Sequence, residues 1–150
     1  MALYYLDTSA LVKLYVREPG TDRLLQLASH STENRLAVLA LTPIEVRSAV
    51  RRRQRAGDFD PGTAGLILDR LQRHMETRFL RQSLNDFVMD GAFEIIDRYA
   101  LRAYDAVQLS GCLALKTIDA EAPTFVCSDQ QLLEAARSEL LTVLDPCASP

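Results

Sequence analysis

The chain has 150 residues, of which 48% are hydrophobic and 25% charged, and its net charge is −3. Those values fit one globular domain over residues 1–150 and exclude a disordered, collagen-like or disulfide-stapled chain. They also exclude a generally basic nucleic-acid coat, and no apolar run approaches the ~20 residues of a membrane-spanning helix. The opening MALYYLDTSALVKLYV has no basic lead-in or small-residue cleavage site and carries Asp7 in mid-run, so it does not read as a signal peptide. Cys112, Cys127 and Cys147 are odd in number and lack Cys-x-x-Cys spacing. They are expected to be reduced thiols of a cytoplasmic protein, with Cys127 a small core residue.

In chain order, Leu3–Leu6 reads as a strand, Ser9–Val16 as a helix and, after Pro19-Gly20, Thr21–Ala28 as another. Arg35–Leu41 is a second strand and Thr42–Arg55 a helix, followed by a turn over Gly57-Asp58-Phe59-Asp60-Pro61-Gly62. Helices over Gly62–Glu76 and Asn85–Tyr99 bracket a short strand around Arg78–Gln82. Tyr104–Lys116 is helical, Thr124–Cys127 a strand, Asp129–Glu139 a helix and Leu141–Leu144 a last strand. Val88, Ala92, Ile95, Ile96 and Tyr99 follow the three-and-four spacing of one helical face. Leu3–Leu6 and Phe125–Cys127 are continuous apolar runs, as strands covered on both faces require. Strands separated by helices imply parallel pairing through crossovers, hence an α/β fold with a central, mostly parallel sheet.

In such sheets ligands bind outside the carboxyl ends of the strands. Asp7 directly follows LYYL, and Ser128-Asp129 directly follows TFVC. Glu45 lies one turn into the helix after the second strand, and Asp105 lies at the start of the helix Tyr104–Lys116. Each has an ordinary structural explanation. Thr42-Pro43-Ile44-Glu45 makes a capping box with Thr42 as N-cap, and Asp7 and Asp129 cap the helices that follow them. Asp105 would favour the positive end of its own helix. Together the four argue differently, because unit charges ~4 Å apart repel by about 4 kcal/mol at an effective dielectric of 20. An oxygen-liganded Mg²⁺ or Mn²⁺ would offset that repulsion and supply the chemistry of phosphodiester hydrolysis without a histidine.

LDTSALVKLY, TPIEVRSAVRRR, LRAYDAVQLS and FVCSDQQLL resemble, in order and spacing, the motifs of PIN-domain ribonucleases, and most of all the VapC toxins of bacterial toxin–antitoxin pairs. The resemblance implies a three-layer α/β/α sandwich and a metal-dependent endoribonuclease leaving 3′-hydroxyl and 5′-phosphate ends. It also implies a homodimer and a cognate antitoxin. By this resemblance the catalytic acids are Asp7, Glu45, Asp105 and Asp129, with Asp7, Asp105 and Asp129 as metal ligands. Ser9 and Ser128 match hydroxyl residues that hydrogen-bond carboxylates or metal waters. Gln130 and Gln131 stand where some relatives carry an additional acid, which argues against a fully occupied second metal site.

Arg47, Arg51, Arg52, Arg53 and Arg55 form a basic run, in which Glu45, Ser48, Arg52 and Arg55 share a helical face. Arg52 and Arg55, with Arg102 before the third acid, are candidate RNA contacts; a solvated helix end explains the run equally well. His30, in the polar stretch His30–Asn34, and His74 lie away from strand ends and read as surface residues. The Phe and Tyr residues read as packing. Aspartyl phosphotransfer at Asp7 is disfavoured because Ser9 stands where a second aspartate belongs. The alternative to an enzyme is a catalytically silent binding module of the same fold, whose acidic cleft takes an arginine or lysine from a partner.

Overall fold

The structure, a computed structural model, describes residues 1–30 and 32–149. Ser31, in the polar stretch around His30, and Pro150 lie outside them. Five strands form one sheet: β1 (Ala2–Leu6), β2 (Asn34–Leu39), β3 (Phe79–Gln82), β4 (Thr124–Val126) and β5 (Thr142–Leu144). They run in the order β3-β2-β1-β4-β5, and every pair is parallel.

The helices are α1 (Thr8–Leu11), α2 (Thr21–Ser29), α3 (Thr42–Arg55), α4 (Pro61–Thr77), α5 (Asp86–Arg98), α6 (Ala103–Ile118) and α7 (Gln130–Ser138). Alternate strand residues feed two cores. Leu3, Tyr5, Ala37, Leu39 and Phe125 pack under α5, α6 and α7. Leu6, Leu36, Val38 and Val126 pack under α1 to α4. Both sheet faces are thus covered, which explains strands that read as unbroken apolar runs. From β1 the chain winds first to β2 and β3 and later to β4 and β5. β1 and β4 therefore flank the topological switch point, the crevice where ligands bind in open α/β sheets.

Several expected boundaries change where a distant group competes with the local pattern. The helix expected over Ser9–Val16 is α-helical only to Leu11 and continues as a 3₁₀ turn over Val12–Leu14. There the Lys13 carbonyl accepts the Thr21 hydroxyl at 2.9 Å instead of a helix amide. The capping box at α3 does not form. Leu41 occupies the N-cap, and the Thr42 hydroxyl accepts from the Gln108 amide at 2.8 Å. Ile96, expected on the buried face of α5, is 42% exposed, whereas Val88, Ala92 and Ile95 are buried. Phe87 and Phe93 also face outward, at 62% and 66% exposure, which corrects their reading as packing residues. No described helix is long and apolar enough to cross a membrane.

Candidate active site

Four acids reach the carboxyl edge of the sheet from four elements. Asp7 extends β1, its backbone N–H donating to the Val126 carbonyl at 3.1 Å. Its buried carboxylate accepts from the Ala10 N–H at 2.9 Å and the Ser9 hydroxyl at 2.7 Å, so it caps α1 and faces the crevice together. Asp129 caps α7 in the same way, accepting from the Leu132 N–H at 2.9 Å. Glu45 and Asp105 stand in the first turns of α3 and α6, both half-buried. All four line one cavity of about 470 Å³.

The loops after β1 and β4 are stitched together beneath these acids. The Ser9 hydroxyl, donor to Asp7, accepts from the Ser128 N–H at 3.0 Å, and the Asp129 N–H donates to Cys127 Sγ at 3.2 Å. Cys127 is fully buried, as expected of it. The Ser128 hydroxyl, expected on a carboxylate or a metal water, lies instead 3.5 Å from Cys147 Sγ. Ser128 thus serves the site through its backbone, and Ser9 through its side chain.

None of the four acids has a salt-bridge partner among the described residues. Burial pushes Asp7 up to about 6, with a smaller push from Asp105, against the hydrogen bonds from Ser9 and Ala10. Asp105 is raised too, first by burial and then by Asp129 and Glu45, with Arg102 opposing. These carboxylates therefore feel one another across the cavity.

Residues 4–138 match the family described as "PIN domain". The chain belongs to the PIN domain family. This PIN domain is 32% identical over 146 residues to Ribonuclease VapC35 of Mycobacterium tuberculosis, a match covering 96% of this chain and 97% of the relative. In structure it is similar to VapBC2 from Rickettsia felis, solved bound to a DNA fragment from its promoter. The TM-score is 0.67 at 14% identity, over 95% of this chain and 97% of that one. It is also similar to FitAcB from Neisseria gonorrhoeae, with a TM-score of 0.65 at 19% identity, over 97% and 98% of the two chains. At those identities the structural likeness speaks to the fold.

The basic run of this PIN domain is divided by its partners. Arg52 and Arg102 line the acid cavity. Arg55, expected beside Arg52, is exposed in the last turn of α3 and is absent from that lining. Arg53 is drawn to Asp58 at 2.9 Å and Glu18 at 3.3 Å, and Arg51 donates to Gln54 at 2.8 Å. Neither histidine lines the cavity. His30 is exposed, but His74 is half-buried, with the Tyr15 hydroxyl at 2.8 Å from its Nδ1, which corrects its surface reading.

The PIN-domain cavity also holds Thr8, Lys13, Glu18, Tyr104 and Gln108, none of which the sequence reading assigned to the site. Lys13 had a signal, as the one cation within an apolar run, and is buried against Glu18 at 3.0 Å. Among the described residues no three His, Cys, Asp or Glu side chains stand close enough to enclose an ion. Mg²⁺ and Mn²⁺ do not require such a cage, because they keep several waters and take one or two direct carboxylates. Hard carboxylate oxygens on an open cavity wall fit that kind of ion, and the Cys127 thiol beneath them is held protonated by burial.

Proposed function

We propose that this PIN domain is a divalent-metal-dependent endoribonuclease, the toxin of a VapBC-type toxin–antitoxin pair. One observation carries the reading. Four carboxylates without ion-pair partners among the described residues share one cavity at the switch point. The chain that holds them is 32% identical to a ribonuclease over 96% of its length.

Asp7, Asp105 and Asp129 are the side chains that would hold Mg²⁺ or Mn²⁺. When bound, such an ion supplies Lewis-acid polarisation of a phosphoryl oxygen and makes water a stronger acid near neutral pH. Glu45 and Asp105 accept hydrogen bonds from the attacking water and orient it, while Ser9 holds the Asp7 carboxylate in place. Arg52 and Arg102 neutralise RNA phosphates at the cavity rim. Water adds its oxygen to phosphorus and the 3′ oxygen leaves as a hydroxyl, so the ends are 3′-hydroxyl and 5′-phosphate.

An antitoxin that presents an arginine or lysine to the same carboxylates would fill the cavity and stop turnover. A homodimer and a cytoplasmic location belong to the same reading, and solution mass by light scattering tests the first. The deciding experiment incubates the protein with a mixed RNA pool in Mg²⁺ or Mn²⁺, with and without EDTA, beside Asp7→Ala. The expected result is metal-dependent cuts with 5′-phosphate ends, absent in the variant. Cleavage that survives both EDTA and Asp7→Ala overturns the four-acid reading.

A further inference from the structure

A buried polar network lies beside the acid cavity, and its central residue has no role in the reading above. Gln108 is 1% exposed and stands one turn of α6 beyond Asp105, on the same side of the helix. Its Oε1 accepts from the Tyr5 hydroxyl at 3.2 Å. Its Nε2 donates to Thr42 Oγ1 at 2.8 Å and to Thr8 Oγ1 at 3.3 Å. One amide thus joins hydroxyls from β1, the start of α1 and the start of α3. Each contact ends close to an acid along the chain: Thr8 follows Asp7, Thr42 precedes Glu45 by just under a turn, and Asp105 shares the helix of Gln108.

The spacing of the network is fixed as well as its pairing. A Cβ placed on Gly111 would meet the Tyr5 hydroxyl at 2.5 Å, so the glycine leaves the room on α6 that the Tyr5 side chain occupies. Because Tyr5 donates to Oε1, the amide is held with its N–H groups toward the two threonines. Both threonine hydroxyls are then acceptors toward Gln108, which leaves the proton of Thr8, a residue of the cavity lining, to a different acceptor. The Tyr104 hydroxyl, buried and without a well-aligned hydrogen-bond partner among the described residues, abuts Thr8, Thr42 and Gln108 of the same cluster.

We propose that Gln108 is a positioning residue that sets the separation of Asp7, Glu45 and Asp105, and that affinity for the divalent ion depends on it. The inference rests on the metal reading given above. In metal proteins, losing a partner that orients the ligands weakens metal affinity or activity ten- to a hundredfold.

The test measures Mn²⁺ binding to the full chain by calorimetry, without RNA, for wild type, Asp7→Asn, Gln108→Met, Tyr5→Phe and Thr42→Ser. Gln108→Met is expected to weaken Mn²⁺ binding by roughly tenfold or more, while its RNA affinity in EDTA stays at the wild-type value. Tyr5→Phe, whose ring does not line the cavity, is expected to weaken Mn²⁺ binding alone but to add nothing in the Gln108→Met background. Thr42→Ser keeps the hydroxyl and is expected to keep the affinity. Wild-type binding that is lost in Asp7→Asn but intact in both Gln108→Met and Tyr5→Phe overturns this inference alone. Wild type that binds no Mn²⁺, or binds it equally well as Asp7→Asn, overturns the metal reading and this inference with it. If Gln108→Met does not fold, Tyr5→Phe decides the matter by itself.

Discussion

The two edges of the sheet treat their acids in opposite ways. At the amino edge, Arg35 at the start of β2 grips Asp119 with two hydrogen bonds of 2.7 and 2.9 Å. Those bonds, with one from the Glu121 N–H, hold the Asp119 carboxyl down at about 2. At the carboxyl edge, Asp7 accepts hydrogen bonds from Ser9 and Ala10, yet burial and the neighbouring Asp105 push it up to about 6. The first edge is built for stability. The second holds like charges together with no salt bridge to any of the four acids among the described residues, at a cost that a fold under selection for stability alone would remove.

The largest effect that tests this contrast comes from Asp7→Asn. Cleavage should fall by roughly a hundredfold or more, because a carboxylate that would hold the ion is lost. Metal-free stability should move the other way. The folded value of Asp7 lies above its unfolded value of 3.8, so the unfolded chain ionises first. The protein is therefore most stable with respect to Asp7 below pH ~4 and loses stability as pH rises toward ~6. Above that window the whole penalty is present, about 3 kcal/mol for a shift of this size. Asn stays neutral and keeps an oxygen for Ser9 and Ala10. Urea unfolding in EDTA should show the variant gaining on wild type between pH 4 and 6 and holding that lead at pH 7.5. An equal gap at every pH would remove the electrostatic account.

How much of this was legible in the sequence depends on the range of the contacts. Continuous apolar runs and Pro or Gly punctuation are local, and apart from the early end of α1 the elements fall within about two residues of where they read, with α3 over Thr42–Arg55 as expected. The four acids were legible because a parallel sheet sends every strand end to the same edge. What was not legible came from partners far away in the chain. Thr42 reads as a helix cap, but its hydroxyl is taken by Gln108, 66 residues on. His74 reads as a surface residue, but Tyr15, 59 residues earlier, turns it inward. Gln108 carried a faint signal, an uncharged polar residue amid the apolar AVQLSGCLALK, since a buried amide needs partners.

The amino edge supplies the next largest effect. Asp119 lies below its unfolded value, so its contribution is present above pH ~4 and is lost as pH falls toward ~2. Arg35→Ala should lower the melting temperature by a few degrees at pH 7, by less as the pH falls below 4, and leave cleavage unchanged. Loss of cleavage in a well-folded Arg35→Ala would mean that the two edges are coupled, and the division of labour drawn above would fail.

The smallest effect separates the arginines of α3. Arg52 lines the acid cavity and has no salt-bridge partner among the described residues, whereas Arg53 is committed to Glu18 and Asp58. A phosphate contact releases counterions, so removing one should weaken RNA binding modestly and make its dependence on log[salt] shallower by about 1. Arg52→Ala, measured with uncleaved RNA in EDTA, should show that shallower slope. Arg55→Ala, on an arginine outside the lining, should leave the slope as it is. If Arg55→Ala flattens the slope as much as Arg52→Ala, the whole end of α3 contacts RNA, and the cavity has no special claim on the phosphate. An unchanged slope in Arg52→Ala would instead leave the run as a solvated helix end, held near the helix C-terminus by its favourable interaction with the dipole.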